Sequence, residues 1–449
     1  METDWLTQET HALEIADQLV GRARAARADR AEAVFSYGRQ SSLSYRQGEV
    51  SDLEQSEDLG LSLRVWVGGR VAYLSGNQLD RHGLADLADQ AVARARLLPI
   101  SPLVDLPETP DVPGWQIQAD TAEPSLSTLI EEAKTLYDGA MATAGITNSD
   151  GGSAAYSKSR TALVASNGLA VSGTWSHFYR GISVQAGQGD DQVRAHDSHT
   201  KTHREDMRAL SAIIQRATEK ALKRVGARPD KGFVGPVIFD APMAKSLIGG
   251  FLGAINGSAV AKGQSFLKDA MGSALFSDTI QIMDDPTLPR GLGSKPIDRE
   301  GHVPSRLNLI EQGILKNWLL DRRSAHMLNL KTNGRASHSG GGLMVPSATN
   351  VLVSGGAGSQ DDLIRDIKQG LLITGMMGNG LNPLTGDYSR GAEGFLIENG
   401  RITAPVQAMT VAGNMRDMFK TMVLGNDMDR DGALHVPSIL VPHMSISGI

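Results

Sequence analysis

Glycine is spread unevenly along this chain, and the asymmetry divides it. Of 50 glycines in 449 residues, most fall after residue 232, where the usual fraction would be about 7%. Glycine tolerates positive φ and lets neighbouring backbones approach closely. The later half is therefore expected to be built from short strands and tight turns. Before residue 232 apolar residues recur at helical and strand periods instead.

Leu13, Ala16, Val20 and Ala23 predict a helix over 10–27, with Thr10 able to cap it. Ala33, Phe35, Tyr37, Leu43 and Tyr45 alternate as a strand does, and so do Leu61, Leu63, Val65 and Val67. Gly68-Gly69 predicts a hairpin returning through Val71 and Tyr73. A second helix is expected over 79–97. Five prolines, Pro99, Pro102, Pro107, Pro110 and Pro113, predict an extended connector over 99–113. Beyond it a helix is expected over 126–143 and strands around 154–165, 169–175 and 180–187. Asn167-Gly168 reads as a type I′ turn between the first two strands, and a helix over 205–225 follows. Arg228-Pro229 marks a boundary. After it come a short strand at Val237 to Phe239, a helical stretch from Met243 to Ala261 and a helix over 361–370. Leu309-Ile-Glu-Gln-Gly313 recurs as Leu396-Ile-Glu-Asn-Gly400, both copies carrying hairpin chemistry. The expected class is α+β. Residues 1–232 would form an antiparallel sheet with packed helices, and residues 233–449 a Gly-rich, mostly β domain.

Composition narrows the function. With no cysteine, a disulfide scaffold, a thiolate nucleophile and Cys-ligated zinc are excluded. The net charge is −6 and no Lys/Arg block stands out, so nucleic acid is not the expected partner. Met1 to Ala12 is polar and acidic, without the pattern of a signal peptide. No apolar run approaches 18 residues, so no membrane span is expected. These features point to a soluble cytoplasmic protein.

Three clusters invite a chemical reading. His196, His199 and His203 would share a helix face and could hold a metal, with Asp190, Asp191 and Asp197 nearby. Residues 190–204 lack apolar periodicity, however, and read as a strand end and polar surface loop. Asp427-Met-Asp429-Arg-Asp431-Gly432 resembles the start of a calcium loop, but Ser438 stands where a bidentate Glu is needed, so turn chemistry is the better reading. Gly355-Gly-Ala-Gly-Ser359 resembles a phosphate cradle, yet Asp361 and Asp362 would repel phosphate. There is no Gly-x-Ser-x-Gly elbow and no His-Glu-x-x-His or His-Glu-x-x-x-His.

The run Gly380-Leu-Asn-Pro-Leu-Thr385-Gly386-Asp387-Tyr-Ser389-Arg390-Gly391-Ala-Glu-Gly394-Phe395-Leu-Ile-Glu398-Asn399-Gly400 resembles the C-terminal signature of the TldD/PmbA family. Pro405-Val406, Ala412-Gly413-Asn414 and Gly425-Asn426-Asp427 continue it, and Val65 to Ala72 and Leu309 to Leu320 also fit. The resemblance implies an intracellular metallopeptidase acting on unfolded or small peptides. Zinc-bearing members carry the His-Glu-x-x-x-His helix and a C-terminal Cys. Here the equivalent helix is expected within Leu247 to Val260, which holds no His or Glu, so no catalytic, cofactor or metal residue carries over. This matches the TldE/PmbA-like branch. It implies a TldD-like zinc-bearing paralogue and a peptide as partners, with a homodimer when the chain is alone. The alternatives are a regulatory protein of the DNA gyrase modulator type, or an enzyme with its own metal site at His196, His199 and His203.

Overall fold

In the computed structural model, residues 9–101, 119–338 and 344–448 are described. Pro102, Pro107, Pro110 and Pro113 of the expected connector lie outside them. The architecture is α+β. Six antiparallel strands, β1 (Arg30–Arg46), β2 (Glu49–Val67), β3 (Arg70–Gly76), β4 (Ile146–Ala165), β5 (Ala170–Ala186) and β6 (Val193–Lys201), form one sheet in the order β3-β2-β1-β4-β5-β6. Helices α1 (Glu9–Ala25) and α2 (Arg81–Leu97) cover one half of a face, and α3 (Leu126–Met141) and α4 (Leu210–Leu222) the other. The strand period of two explains the division. Ala33, Phe35 and Tyr37 pack toward α1 and α2, while Val34, Trp66 and Leu163 on the opposite face meet Ile297 from the later half.

A closed sheet dominates the later half. Strands β7 (Phe233–Phe239), β14 (Gln369–Met377), β15 (Asp387–Glu398), β16 (Arg401–Asn414), β17 (Val423–Leu424) and β19 (Ile439–Ser447) run in the order β16-β15-β14-β7-β19-β17. A further pairing of β16 with β19 closes the ring. A second sheet holds β8 (Gln281–Asp284), β9 (Leu307–Glu311), β10 (Ile314–Leu315), β13 (Val351–Ser354) and β18 (Leu434–His435). Strands β11 (Ala336–His338) and β12 (Met344–Pro346) pair separately. Helices α5 (Ala241–Ala254), α6 (Gly257–Ala261), α7 (Arg322–Met327), α8 (Gln360–Arg365) and α9 (Met415–Thr421) complete it. Phe251 and Phe419 meet edge to face, with ring centroids 5.8 Å apart, in the core these elements share.

Turns carry the expected glycines. Gly68 and Gly69 have φ of 55° and 74°, while Gln312-Gly313 (49°, 74°) and Asn399-Gly400 (50°, 74°) turn with positive φ at both residues. Asn167-Gly168 departs from the type I′ expectation. Only Gly168 has positive φ, and its N–H donates to Ala165 O at 3.0 Å. The hairpin is therefore a turn centred on Ser166 and Asn167, with Gly168 as the left-handed bulge residue.

Three helices are shorter than the periodicity predicts. The stretch expected over Met243 to Ala261 breaks after Ala254, because Leu319 docks between the pieces: its N–H donates to Ile255 O at 3.0 Å, and Gly257 N donates to Leu319 O at 2.8 Å. The helix expected over 361–370 stops at Arg365, and β14 takes over at Gln369. The helix expected over 205–225 begins only at Leu210, after a separate turn at Arg204–Asp206.

Candidate functional site

Helix α5 starts with a defined cap. The Asp240 carboxylate accepts from Met243 N at 2.9 Å, and Pro242 sits in the first turn, where its missing N–H costs nothing. Burial pushes the Asp240 carboxyl up to about 6, against the opposing effect of the Met243 hydrogen bond. Ala244, Leu247, Ile248 and Phe251 enter the core. Ser246, Gly249, Gly250 and Gly253 are left on the outward side. A Cβ added at Gly249 or Gly253 would meet nothing within 4 Å, whereas at Gly250 it would lie 3.1 Å from Leu381 and Met415. Each exposed helical glycine costs about 1 kcal/mol relative to alanine, so Gly249 and Gly253 weaken this helix.

A groove of about 280 Å³ follows that outward side, lined by Ser246, Gly250, Asn379, Gly380, Leu381, Tyr388, Arg390 and Met415. Its wall is held by close backbone approach. Ser389 N donates to Gly380 O at 2.7 Å, and a Cβ on Gly380 would collide with Ser389 O. The Tyr388 hydroxyl donates to Met376 Sδ at 3.3 Å, and burial raises its pKa.

The edge of β14 opens beside this groove. β7 pairs with β14 only over Leu371–Ile373, and Asp240 N then donates to Ile373 O at 3.1 Å as the chain turns into α5. Beyond that point the β14 residues Gly375–Met377 pair with β15 alone. Among the described residues no strand covers their other side. The Thr374 hydroxyl is buried there without a hydrogen-bond partner. A peptide segment in extended form could add its own backbone to such an edge.

The three sequence clusters do not converge on this groove. His196 and His199 belong to strand β6 and not to a helix or loop, and they face opposite ways. His196 is exposed. His199 and His203 are buried, which corrects the expectation of a polar surface segment. Asp197, also buried, accepts from Arg208 at 2.9 Å, Arg216 at 3.2 Å and Lys220 at 2.8 Å. Asp190 and Asp191 form a separate turn. The calcium-like run is turn chemistry, as expected. Asp427 accepts from Ser438 Oγ at 2.6 Å, Asp429 pairs with Lys245 at 3.0 Å, and Asp431 pairs with His199 at 2.9 Å and Arg208 at 2.6 Å. In the Gly355-Ser359 segment the backbone packs on Gly425, whose O a Cβ at Gly356 would strike, and Ser359 caps α8 with Asp362.

Sequence profiles described as PmbA/TldA metallopeptidase domain 1, central domain and C-terminal domain match residues 31–95, 119–225 and 233–448. The metalloprotease PmbA of Escherichia coli O157:H7 is 31% identical over 428 residues, covering 94% of this chain and 93% of the relative. The chain belongs to the TldD/PmbA family. Two crystal structures share the TldD/PmbA fold with it. One is a candidate modulator of DNA gyrase from Bacteroides thetaiotaomicron, with TM-score 0.88, 24% identity and coverage of 97% and 98%. The other is TldE from Thermococcus kodakarensis, with TM-score 0.85, 21% identity and coverage of 97% and 100%.

Sequence reasoning started helix α5 two residues late, at Met243 where it begins at Ala241, and missed the open edge of β14. The signal for the first was present. Asp240 followed by Ala-Pro-Met243 is a helix start. The second has no local signal, because an edge is open only by virtue of where β7 ends.

Proposed function

We propose that this chain is the non-zinc, TldE/PmbA-like subunit of a TldD/TldE-type peptidase, and that it shapes the channel in which a zinc-bearing paralogue cleaves unfolded or small peptides. One observation carries the reading. Along α5 the outward positions are Ser246, Gly249, Gly250 and Gly253. Zinc is held by imidazole, thiolate and carboxylate, and these residues offer none of them, so they do not fit the ion. The open edge Gly375–Met377 beside the groove supports a role in holding an extended peptide. In this reading the working unit is a cytoplasmic heterodimer built through equivalent faces. The same face gives a homodimer when the paralogue is absent. Residues 1–232 and 233–449 would serve as its two domains. The test is peptide cleavage by each subunit separately and by the mixture. Cleavage is expected to need both. A zinc subunit that alone matches the mixture would refute the obligate-partner role.

A further inference from the structure

A second, larger cleft of about 820 Å³ lies between α4 and the outer side of the closed sheet, and it reaches the open edge of β14 at Thr374, Gly375 and Met376. Met376 stands between this cleft and the groove on α5, its Sδ 4.0 Å from Ser246 Oγ. The two walls differ in chemistry. The sheet contributes Leu372, Phe395 and Ile402, the last 46% exposed. Arg216 and Lys220 come from α4 and Lys223 is its C-cap, spaced so that the three share one side of the helix.

The charge on the α4 wall is under-compensated. Arg216 and Lys220 share a single buried carboxylate, Asp197, with Arg208. Among the described residues Lys223 pairs only with Glu219, at 3.7 Å, and both side chains are exposed. Arg224, deeper in the cleft, is consumed by its ion pair with Glu393. A local excess of cations in a chain of net charge −6 is a focused feature.

We infer that this cleft binds an acidic, extended peptide segment, whose apolar side chains lie on Leu372, Phe395 and Ile402 and whose carboxylates face Arg216, Lys220 and Lys223. A strand presents alternate side chains to opposite sides, so one segment can satisfy both walls at once. This inference rests on the peptide-channel reading above and adds the class of peptide.

The experiment is fluorescence anisotropy of the purified full chain with three labelled peptides. All alternate valine with a second residue, which is Glu, Gln or Lys. The Glu peptide is expected to bind about tenfold more tightly than the Gln peptide at low salt, with the preference shrinking as salt rises. Arg216→Gln with Lys220→Gln should abolish the preference. Lys223→Gln, at a largely exposed position that does not touch Asp197, should reduce it and leave the melting temperature close to the parent's. Equal binding of all three peptides would overturn the acidic preference while leaving the channel reading intact. Absence of binding, or equal competition by a single-stranded oligonucleotide of the same charge, would overturn the inference, and the two-subunit cleavage assay judges the channel reading separately.

Discussion

His199 Nε2 lies 2.9 Å from Asp431 Oδ1, and the contact ties β6 to the loop before β18. His199 Nδ1 accepts from Arg208 N at 2.9 Å, so the ring hydrogen sits on Nε2 and is donated to Asp431. Burial would raise the Asp431 carboxyl, but the hydrogen bonds from His199 and Arg208 outweigh it and hold the group well below the usual carboxylate range.

His199→Ala should therefore destabilise the protein by about 2–3 kcal/mol, because it leaves a half-buried carboxylate short of a donor. Chemical denaturation measures it. His196→Ala, at an exposed position on the opposite side of the same strand, should stay within about 0.5 kcal/mol. The Asp431 contribution has the sign of a depressed carboxyl: present above the unfolded pKa of about 4, and lost as pH falls below it. A His199→Ala loss no larger than that of His196→Ala would contradict the geometry.

Glu300 works in the opposite sense. Burial pushes it up to about 7, partly countered by the Arg322 N–H and by the charge of Arg64. Between about pH 4.5 and 7 the folded chain keeps a proton that the unfolded chain releases, so stability falls as pH rises through that window. Glu300→Gln retains an acceptor for Arg322 N, which lies at 2.8 Å. Its stability should match the parent's near pH 4.5 and exceed it near pH 8 by an amount on the order of 3 kcal/mol. Thermal melts at the two pH values decide it. An advantage that did not grow with pH would show that Glu300 is charged in the fold.

Arg335 and Asp284 form a fully buried ion pair. The guanidinium also donates to Asn333 O at 2.7 Å and Ser305 O at 2.6 Å, while Asp284 Oδ1 accepts from Thr349 N and Oγ1, both at 2.7 Å. Arg335→Ala should cost about 3–5 kcal/mol, since it strands a buried carboxylate. Replacing both residues with apolar ones should cost less than removing Arg335 alone. A urea titration of the single and double variants tests the order.

Glycines of two kinds should respond with opposite signs. A Cβ at Gly394 would strike Leu372 O on the neighbouring strand, so Gly394→Ala should destabilise by about 1–3 kcal/mol. Gly249 faces open space on α5, and Gly249→Ala should stabilise by about 0.5–1 kcal/mol. Gly250 lines the groove, and a Cβ there would press on Leu381 and Met415, so if the groove is used Gly250→Ala should lower peptide cleavage by the two-subunit mixture. Unchanged cleavage would move the functional surface away from α5.

Much of the architecture could be read locally. The hairpins at Gly68-Gly69 and Asn399-Gly400 follow from left-handed φ, and α2 and α3 follow from a 3.6-residue apolar stripe with Asp80 and Ser125 as caps. The signal was lost wherever a distant partner decides the outcome. Glu49 to Asp58 of β2 is polar and mostly exposed, and its strand form is imposed by pairing with β1. In β6 the buried positions are Val193, Ala195, Asp197 and His199, and the last two read as surface until Arg208, Arg216, Lys220 and Asp431 arrive to neutralise them. Ile364 and Ile367 extend the helical period past the end of α8, yet Ile367 N already donates to Ile364 O in a closing turn. The candidate site was the least legible part. Its helix is marked by missing side chains, and its open edge by a strand that stops short.

The ring closed by β16 and β19 also sets a timetable. Phe239 of β7 pairs with Ile439 of β19, about 200 residues further along. During synthesis at about 5–20 residues per second, the central strand waits on the order of 10–40 s for that neighbour. Meanwhile β2 and β3 find their partners across short turns. The nascent chain thus carries Val237 and Phe239, both wholly buried at the end, with one flank unprotected while the earlier sheet assembles. Such an interval is long enough for a holding chaperone to compete with self-association, and closing so long a loop carries its own entropic cost.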